Sequence, residues 1–383
     1  MNGPADERRR PTFLVLAGEA SGDHHAAALV DALRRRWPEA RFAGTGGEGM
    51  AAQGVDLLAD LDDLAVMGFV EVLPRIPFFR RLERRIARRL DEEPPDLVVL
   101  VDYPGFNMRI ARAARRRGIP VLYYIAPKVW AWRSRRARTL AETTDRIAVI
   151  LPFEEAFLET HGASATYVGN PLLDRPDDVP DRASFLGRWS IGPEKRLLAV
   201  LPGSRSQEVE RHLDRFLAIA DAVARTRPDV MPVVSRARSV AEERFRDVDY
   251  PVVEDTRALL RHADAGLVKS GTSTLETALE DTPFVIAYRS NPLTMWLARK
   301  LVKIDHIGLP NLVLEETAVP EFYQGEVTPE RVAPVLLDLL EEGHPRRRRQ
   351  LDDLARVRDR LGAPGAAERV AALAAELVGG DEG

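Results

Sequence analysis

Apolar runs of five or six residues recur along this chain, each followed by a turn of small residues and then an amphipathic stretch. Residues 12–17 (TFLVLA) form the first run, GEASGD the turn, and residues 24–37 the helical stretch. Residues 97–101 (LVVLV), 121–125 and 146–150 repeat the design, with helical periodicity between them, as over 107–117. Runs that are apolar throughout mark strands buried on both faces, so the pattern predicts parallel sheets covered by helices. Strand candidates stop after residue 150. Residues 170–181 (NPLLDRPDDVPD) carry three prolines and four acids and predict a linker over 170–182. A second series follows, with strands at 197–201, 231–234, 252–254, 265–268 and 284–287. The predicted fold class is α/β: two doubly wound Rossmann-like domains facing across a cleft, with a helical C-terminus. The domains span 1–169 and 183–343, and residues 344–383 are expected to pack back towards the first.

Composition narrows the function. The chain has 383 residues, enough for two domains, and a net charge of −4, which argues against a general nucleic-acid binder. It has no cysteine, which excludes thiolate metal sites and disulfides and fits a cytoplasmic setting. No apolar run approaches the roughly 20 residues of a membrane span, and the N-terminus lacks an apolar signal core. Charge is nevertheless uneven. Residues 75–89 hold seven arginines and one acid, and residues 133–138 hold four more arginines. Across residues 77–90 Phe79, Leu82, Ile86 and Leu90 recur at helical spacing. This helix fits two readings: a core-facing amphipathic helix, or one lying on an anionic membrane through Ile76, Phe78, Phe79, Arg80 and Arg81.

Two turns carry the chemistry. VKSGTSTLE (268–276) follows an apolar strand, and its backbone N–H groups and helix start suit a diphosphate, with Ser270, Gly271, Thr272 and Ser273 in the turn. Glu276, one turn into the helix, is placed to accept from a ribose. LLAVLPGSRSQEVE (197–210) is built the same way, with Gly203 and Ser204 in the turn and Arg205 as a fixed cation. A pair of such turns predicts a nucleoside-diphosphate site. In the first half, Glu19 follows the first strand, and Ser21 or Asp23 can cap the helix. Asp102 stands just past LVVLV, at a carboxyl edge where desolvation favours a general base. Ser21, Asn107 and Trp130 are expected as acceptor-side loop residues. Two tempting motifs are set aside. Gly44–Gly49 matches G-x-G-x-x-G but lacks the first-strand position and full crossover helix of a dinucleotide fold, and reads as a flexible loop. Asp60-Leu61-Asp62 matches a metal-holding D-x-D but reads as a turn. No metal and no cofactor are expected.

GEASGD, LAVMGFVEVLPR, VDYPGFN, APKVWAW, LPFE, VGNPLLD, LPGSRSQEV, KSGTSTLE and YRSNPLT…LVKIDHIGLPN occur in one order, and over residues 12–340 the chain resembles the lipid-A-disaccharide synthases. The resemblance implies a metal-independent glycosyltransferase of the B fold. It implies an inverting reaction joining UDP-2,3-diacylglucosamine to 2,3-diacylglucosamine 1-phosphate, giving the β-1,6 disaccharide 1-phosphate and UDP. It places the donor on the second domain and the acceptor on the first. Asp102 is implied as the principal carboxylate, Glu19 as its companion, Arg205 on the diphosphate, Glu276 on the nucleotide, and Asn311 of LPN beside it. The protein is expected to be peripheral on the cytoplasmic face of the inner membrane, as a monomer or homodimer. Two positions depart from the family pattern: Gly105 stands where an aspartate is common, and Asn170 where a histidine is. The alternatives are a B-fold transferase with another UDP-sugar or acceptor, a nucleotide-sugar epimerase or dehydrogenase, and a catalytically silent membrane-binding protein.

Overall fold

A computed structural model describes residues 10–64, 69–132, 134–290 and 306–379. The chain divides into two compact units, residues 1–174 with 363–383, and residues 175–362.

The first unit is a seven-stranded parallel sheet in the order β3-β2-β1-β4-β5-β6-β7. Its strands are β1 (Thr12–Ala17), β2 (Arg41–Gly46), β3 (Asp56–Asp60), β4 (Leu97–Val101), β5 (Val121–Tyr124), β6 (Arg146–Val149) and β7 (Ala165–Tyr167). Successive side chains of a strand point to opposite faces, and β1 and β4 are apolar on both, so each face builds its own core. Leu14, Leu16, Val98 and Leu100 pack with α4 (Phe69–Glu92), α5 (Pro104–Arg115) and α7 (Ser134–Thr143). Phe13, Val15, Val99 and Val101 pack with α1 (Ala20–Arg36) and with α16 (Ala366–Gly379), the last helix of the chain. Arg369 fastens α16 by donating to the carbonyls of Val168, Pro364 and Ala363, and Asp174 accepts from Ala366 N–H at 3.0 Å. The shorter helices are α2 (Glu48–Ala52), α3 (Leu61–Leu64), α6 (Val129–Trp132) and α8 (Pro152–Glu159).

The second unit repeats the plan with six parallel strands in the order β10-β9-β8-β11-β12-β13. These are β8 (Arg196–Leu201), β9 (Val230–Ser235), β10 (Val252–Val253), β11 (Ala265–Lys269), β12 (Phe284–Tyr288) and β13 (Glu321–Tyr323). The helices are α9 (Arg182–Arg188), α10 (Ser206–Thr226), α11 (Thr256–His262), α12 (Thr272–Leu279), α13 (Leu309–Leu314), α14 (Pro329–Leu340) and α15 (Pro345–Leu361). Thus α15 stays with the second unit and only α16 returns to the first. Strands β2 and β3 end in the stretches read as the Gly44–Gly49 loop and the Asp60 turn, and two more escape the sequence pattern: β7 and β13 are three residues each, at sheet edges, and too short to show a period. Helix α1 starts at Ala20, inside the run read as a turn. Among the described residues no helix is long and apolar enough to cross a membrane.

Candidate functional site

In each sheet the strand order reverses direction once, between β1 and β4 and between β8 and β11. The loops leaving such a pair diverge to opposite faces and open a crevice at the carboxyl edge, where α/β proteins bind ligands. In the first sheet Ala17 pairs with Val101, so Glu19 and Asp102 emerge side by side, two residues and one residue past that pair. Two devices hold the pair of turns. The ring of Tyr103 lies on Gly18, where a Cβ would come within 2.4 Å of it, and its hydroxyl donates to the Leu64 carbonyl. Burial, then the charge of Glu19, raises the Tyr103 pKa, so the phenol stays protonated. Asp102 and Tyr103 both adopt left-handed backbone, with φ of 46° and 48°. For non-glycine residues that conformation costs about 1–3 kcal/mol each. Asp102 N–H donates to Tyr124, and the Asp102 carbonyl accepts from Tyr123 Oη at 2.7 Å and Asn107 Nδ2 at 2.8 Å. These bonds offset the strain and keep the Asp102 side chain at the sheet edge.

Asn107 is therefore a bracket. It is buried, and its amide also reaches the carbonyls of Leu16 and Val101. Ser21 is exposed in the first turn of α1. Asp23 does not cap its own helix. Its buried carboxylate accepts the N–H groups of Gly47, Gly49 and Met50 at 2.6, 2.9 and 3.1 Å, and so caps α2. That accounts for Gly46 and Gly49 of the G-x-G-x-x-G match, and for Gly47 between them, since a Cβ at any of the three would meet Asp23 within 3.1 Å, while a Cβ at Gly44 would strike the Val15 backbone. The N–H groups that a dinucleotide phosphate would need are already held by an internal carboxylate, and the segment is strand and helix rather than a flexible loop. Asp60 likewise accepts from Asp63 N–H at the start of α3, while the Asp62 side chain lies outside the described residues. Parts of two family motifs, at 65–68 and 291–305, lie outside them too.

Trp130, expected in a loop, lies in the short helix α6 after β5, donates from Nε1 to Glu154 Oε1 at 2.9 Å and packs edge-on against Phe153. Glu154 is 3 % exposed, and its second oxygen accepts Leu151 N–H at 3.1 Å. Burial pushes its pKa up to about 7, against the lowering effect of Trp130, the Leu151 N–H and Lys128. Of the two departures from the family pattern, a Cβ at Gly105 would meet nothing within 4 Å among the described residues. Asn170 is buried and bonds the Ile150 carbonyl and Leu172 N–H.

The second sheet places its turns by the same rule. Val268 pairs with Leu201, so Gly203 and Ser270 both stand two residues beyond the register pair. Gly203 has φ of 135°, and a Cβ there would fall 2.6 Å from Glu208 Cβ, so only glycine fits. Ser204 N–H donates to Glu208 Oε2 at 3.1 Å, and Lys269 Nζ donates to Glu208 Oε1 at 2.7 Å. Burial alone would raise the Glu208 carboxyl, but Lys269, Ser204 N–H and Arg205 outweigh it and hold the carboxyl below its ordinary range. Behind this pair, buried His212 bonds the Glu208 carbonyl through Nδ1 and accepts Arg289 N–H on Nε2. Burial lowers its pKa to about 4, so it is neutral. Glu208, Lys269 and His212 were not singled out from the sequence, although the first two lie inside LPGSRSQEV and KSGTSTLE.

Arg205 and Ser204 are exposed beside this turn. In the other turn Ser270 Oγ donates to the Ile307 carbonyl and buried Thr274 ties Gly271 to Leu309. Thr272 is exposed and Ser273 half-buried at the start of α12. Glu276, one turn along, is held by Arg175 at 2.8 Å. Asn311 is wholly buried. Its amide donates to the Val319 carbonyl and Glu321 Oε1, and accepts from Ala318 and Val319 N–H. Two donors and two acceptors are the whole capacity of that side chain, so Asn311 acts as a strut for the segment that runs from α13 to β13.

On α4, Leu82, Ile86 and Leu90 are core. Phe79 leans on Phe106 with centroids 5.9 Å apart, Phe78 packs edge-on against Phe79, and both are half-buried. Ile76 is half-buried, and Arg80, Arg81, Arg84 and Arg88 are exposed. The surface thus combines two partly covered aromatic rings with a row of cations.

The sequence profile of the lipid-A-disaccharide synthetase family matches residues 13–375. A lipid-A-disaccharide synthase of Syntrophus aciditrophicus is 42 % identical over 374 residues, covering 95 % of this chain and 97 % of its own length. Among solved structures, a putative UDP-N-acetylglucosamine 2-epimerase from Listeria monocytogenes superposes with a TM-score of 0.67 at 14 % identity, covering 96 % of each chain. The glycotransferase of kitacinnamycin does so with a TM-score of 0.64 at 17 % identity, covering 96 % of this chain and 99 % of that one. Epimerases and transferases share this two-sheet fold, so structural likeness at such identity speaks for the fold and not for the reaction.

Proposed function

The chain belongs to the lipid-A-disaccharide synthetase family and is a hexosyltransferase of lipid A biosynthesis; on that premise we propose how its own residues carry the transfer. The donor is UDP-2,3-diacylglucosamine and the acceptor 2,3-diacylglucosamine 1-phosphate. The acceptor 6-hydroxyl gives its proton to Asp102 as its oxygen bonds to donor C1. The bond from C1 to the diphosphate breaks, its electron pair leaves on UDP, and the α linkage becomes β. A positioned base contributes about 10²–10⁴-fold to such a step. Glu19 orients the acceptor or assists the base. Charge growing on UDP is met by Arg205, Ser204 and the N–H groups around Ser270–Ser273, while Glu276 accepts from the ribose. Ser21 and Trp130 border the acceptor. Asn107 and Asn311 act through the turns they hold.

The observation that carries this reading is the convergence of Glu19 and Asp102 at the reversal point of the first sheet, on a turn whose strained backbone is locked by Asn107 and Tyr123. Both substrates carry acyl chains, so access to a membrane is part of the chemistry. The surface of α4 around Ile76, Phe78, Phe79, Arg80 and Arg81 is proposed to rest on the anionic cytoplasmic face of the inner membrane. The deciding experiment is turnover of the UDP-diacylglucosamine donor with and without the diacylglucosamine phosphate acceptor. A disaccharide 1-phosphate of the expected mass, formed only with both, supports the reading. UDP release without a disaccharide refutes it.

A further inference from the structure

Lys269 lies between the two turns of the second unit. Its ammonium is 2.7 Å from Glu208 Oε1 and 5.8 Å from the centroid of the Tyr288 ring, and only 12 % of its side chain is exposed. Glu208 in turn sits directly beneath Gly203 and caps Ser204 N–H. On the other side, a Cβ built on Gly271 would meet Lys269 Nζ at 3.5 Å and, among the described residues other than its chain neighbours, nothing else within 4 Å. The ammonium therefore borders the Gly271 turn while it is tied to the carboxylate under the Gly203 turn. That carboxylate also changes what the Gly203 turn can do, because Ser204 N–H is already committed to Glu208. An anion there would be met by a cation rather than by that N–H.

We propose that Lys269 is a second diphosphate-side cation: held in place by Glu208 as its positioning residue, it donates to the β-phosphate of a nucleoside diphosphate bound over the Gly271 turn. An ammonium carries three N–H donors, so a bond to Glu208 and a bond to a phosphate are compatible. Glu208 keeps the flexible lysine chain in one geometry, with the Tyr288 ring and neutral His212 packed beside it. In the reaction, the same contact strengthens as charge builds on the leaving diphosphate. This inference rests on the reading that the nucleotide binds the second unit.

The test is calorimetric titration of UDP and of uridine into the full chain. Lys269→Met alone would strand a buried carboxylate, so it is made together with Glu208→Gln. The pair is neutral in both forms, so the field at a distance is unchanged and the variant reports direct contact. Arg205→Ala is titrated alongside. The expected result is a loss of UDP affinity of about tenfold to a hundredfold in the double variant, the range of one charge-assisted hydrogen bond, with uridine unaffected. UDP affinity equal to wild type in the double variant, with Arg205→Ala weakened, overturns the role of Lys269 and leaves the nucleotide reading standing. Equal losses for UDP and uridine overturn it too, since the pair would then only shape the unit. If neither variant alters UDP binding, the nucleotide reading falls with it.

Discussion

Replacing Glu154 by Gln should make the stability of this protein less dependent on pH, and the structure sets both the sign and the size. Glu154 is buried, with Trp130 and the Leu151 amide on its two oxygens and Lys128 nearby. Burial raises its pKa from 4.5 to about 7. A carboxyl whose folded pKa is raised stabilises the folded state while it stays neutral. That contribution is complete below the unfolded pKa and is lost as pH climbs through the folded one. Between pH 4.5 and about 7 the folded chain thus binds a proton that the unfolded chain has released. Stability falls across this window at about 1.4 kcal/mol per unit, or about 3 kcal/mol in all. Glutamine has no charge to bury. It cannot accept both N–H groups with one carbonyl oxygen, so Glu154→Gln also carries an offset of about 1–3 kcal/mol that does not vary with pH. Urea unfolding followed by circular dichroism from pH 5 to 8.5 separates slope from offset. Wild type should lose stability relative to the variant as pH rises to 7 and then run parallel to it. Curves parallel throughout would refute a neutralised Glu154. So would a gap that widens in favour of wild type.

Asp102→Asn should lower turnover by about two orders of magnitude or more while UDP titrates as in wild type; a near-normal kcat would remove Asp102 as the base. Gly18→Val should destabilise the first unit and abolish transfer, because its side chain would displace the Tyr103 ring that lies 2.4 Å from the Cβ position; wild-type melting would contradict that packing. On α4, Arg80→Glu with Arg81→Glu should cut sedimentation with anionic vesicles at low salt but not at high salt, whereas Phe78→Ser should cut it at both. Phe79→Ser should in addition lower the melting temperature, since that ring rests on Phe106; vesicle binding unchanged in all of these variants would exclude the surface. Turnover should survive excess EDTA, and a loss restored by Mg²⁺ or Mn²⁺ would bring Asp60 back as a ligand candidate.

Much of the fold was legible because its signals are local. A strand buried on both faces is a continuous apolar run, and β1 and β4 coincide with TFLVLA and LVVLV to the residue. The kind of chemistry was local as well: Gly203, Arg205 and Gly271 stand in short motifs whose residue types suit a diphosphate, and Glu276 follows where a ribose would lie. Edge strands β7 and β13 were not legible, since three residues are too few to carry a period. Nor was the start of α1, where Gly22 signals a turn locally, yet it lies 3.6 Å in Cβ position from Ala17 at the end of β1.

What only the tertiary structure decided is adjacency. Sequence spacing does not say that β1 lies beside β4 or β8 beside β11, and those neighbours are what bring Glu19 to Asp102 and Glu208 to Lys269. Left-handed backbone at Asp102 and Tyr103 was not read from the sequence; it exists because Asn107 of α5 and Tyr123 and Tyr124 of β5 close on it. Asn311 shows the limit most clearly. A motif places it at the site, but only its four internal hydrogen bonds reveal a strut, because whether a polar group faces a ligand or a neighbour depends on what the rest of the chain folds against it.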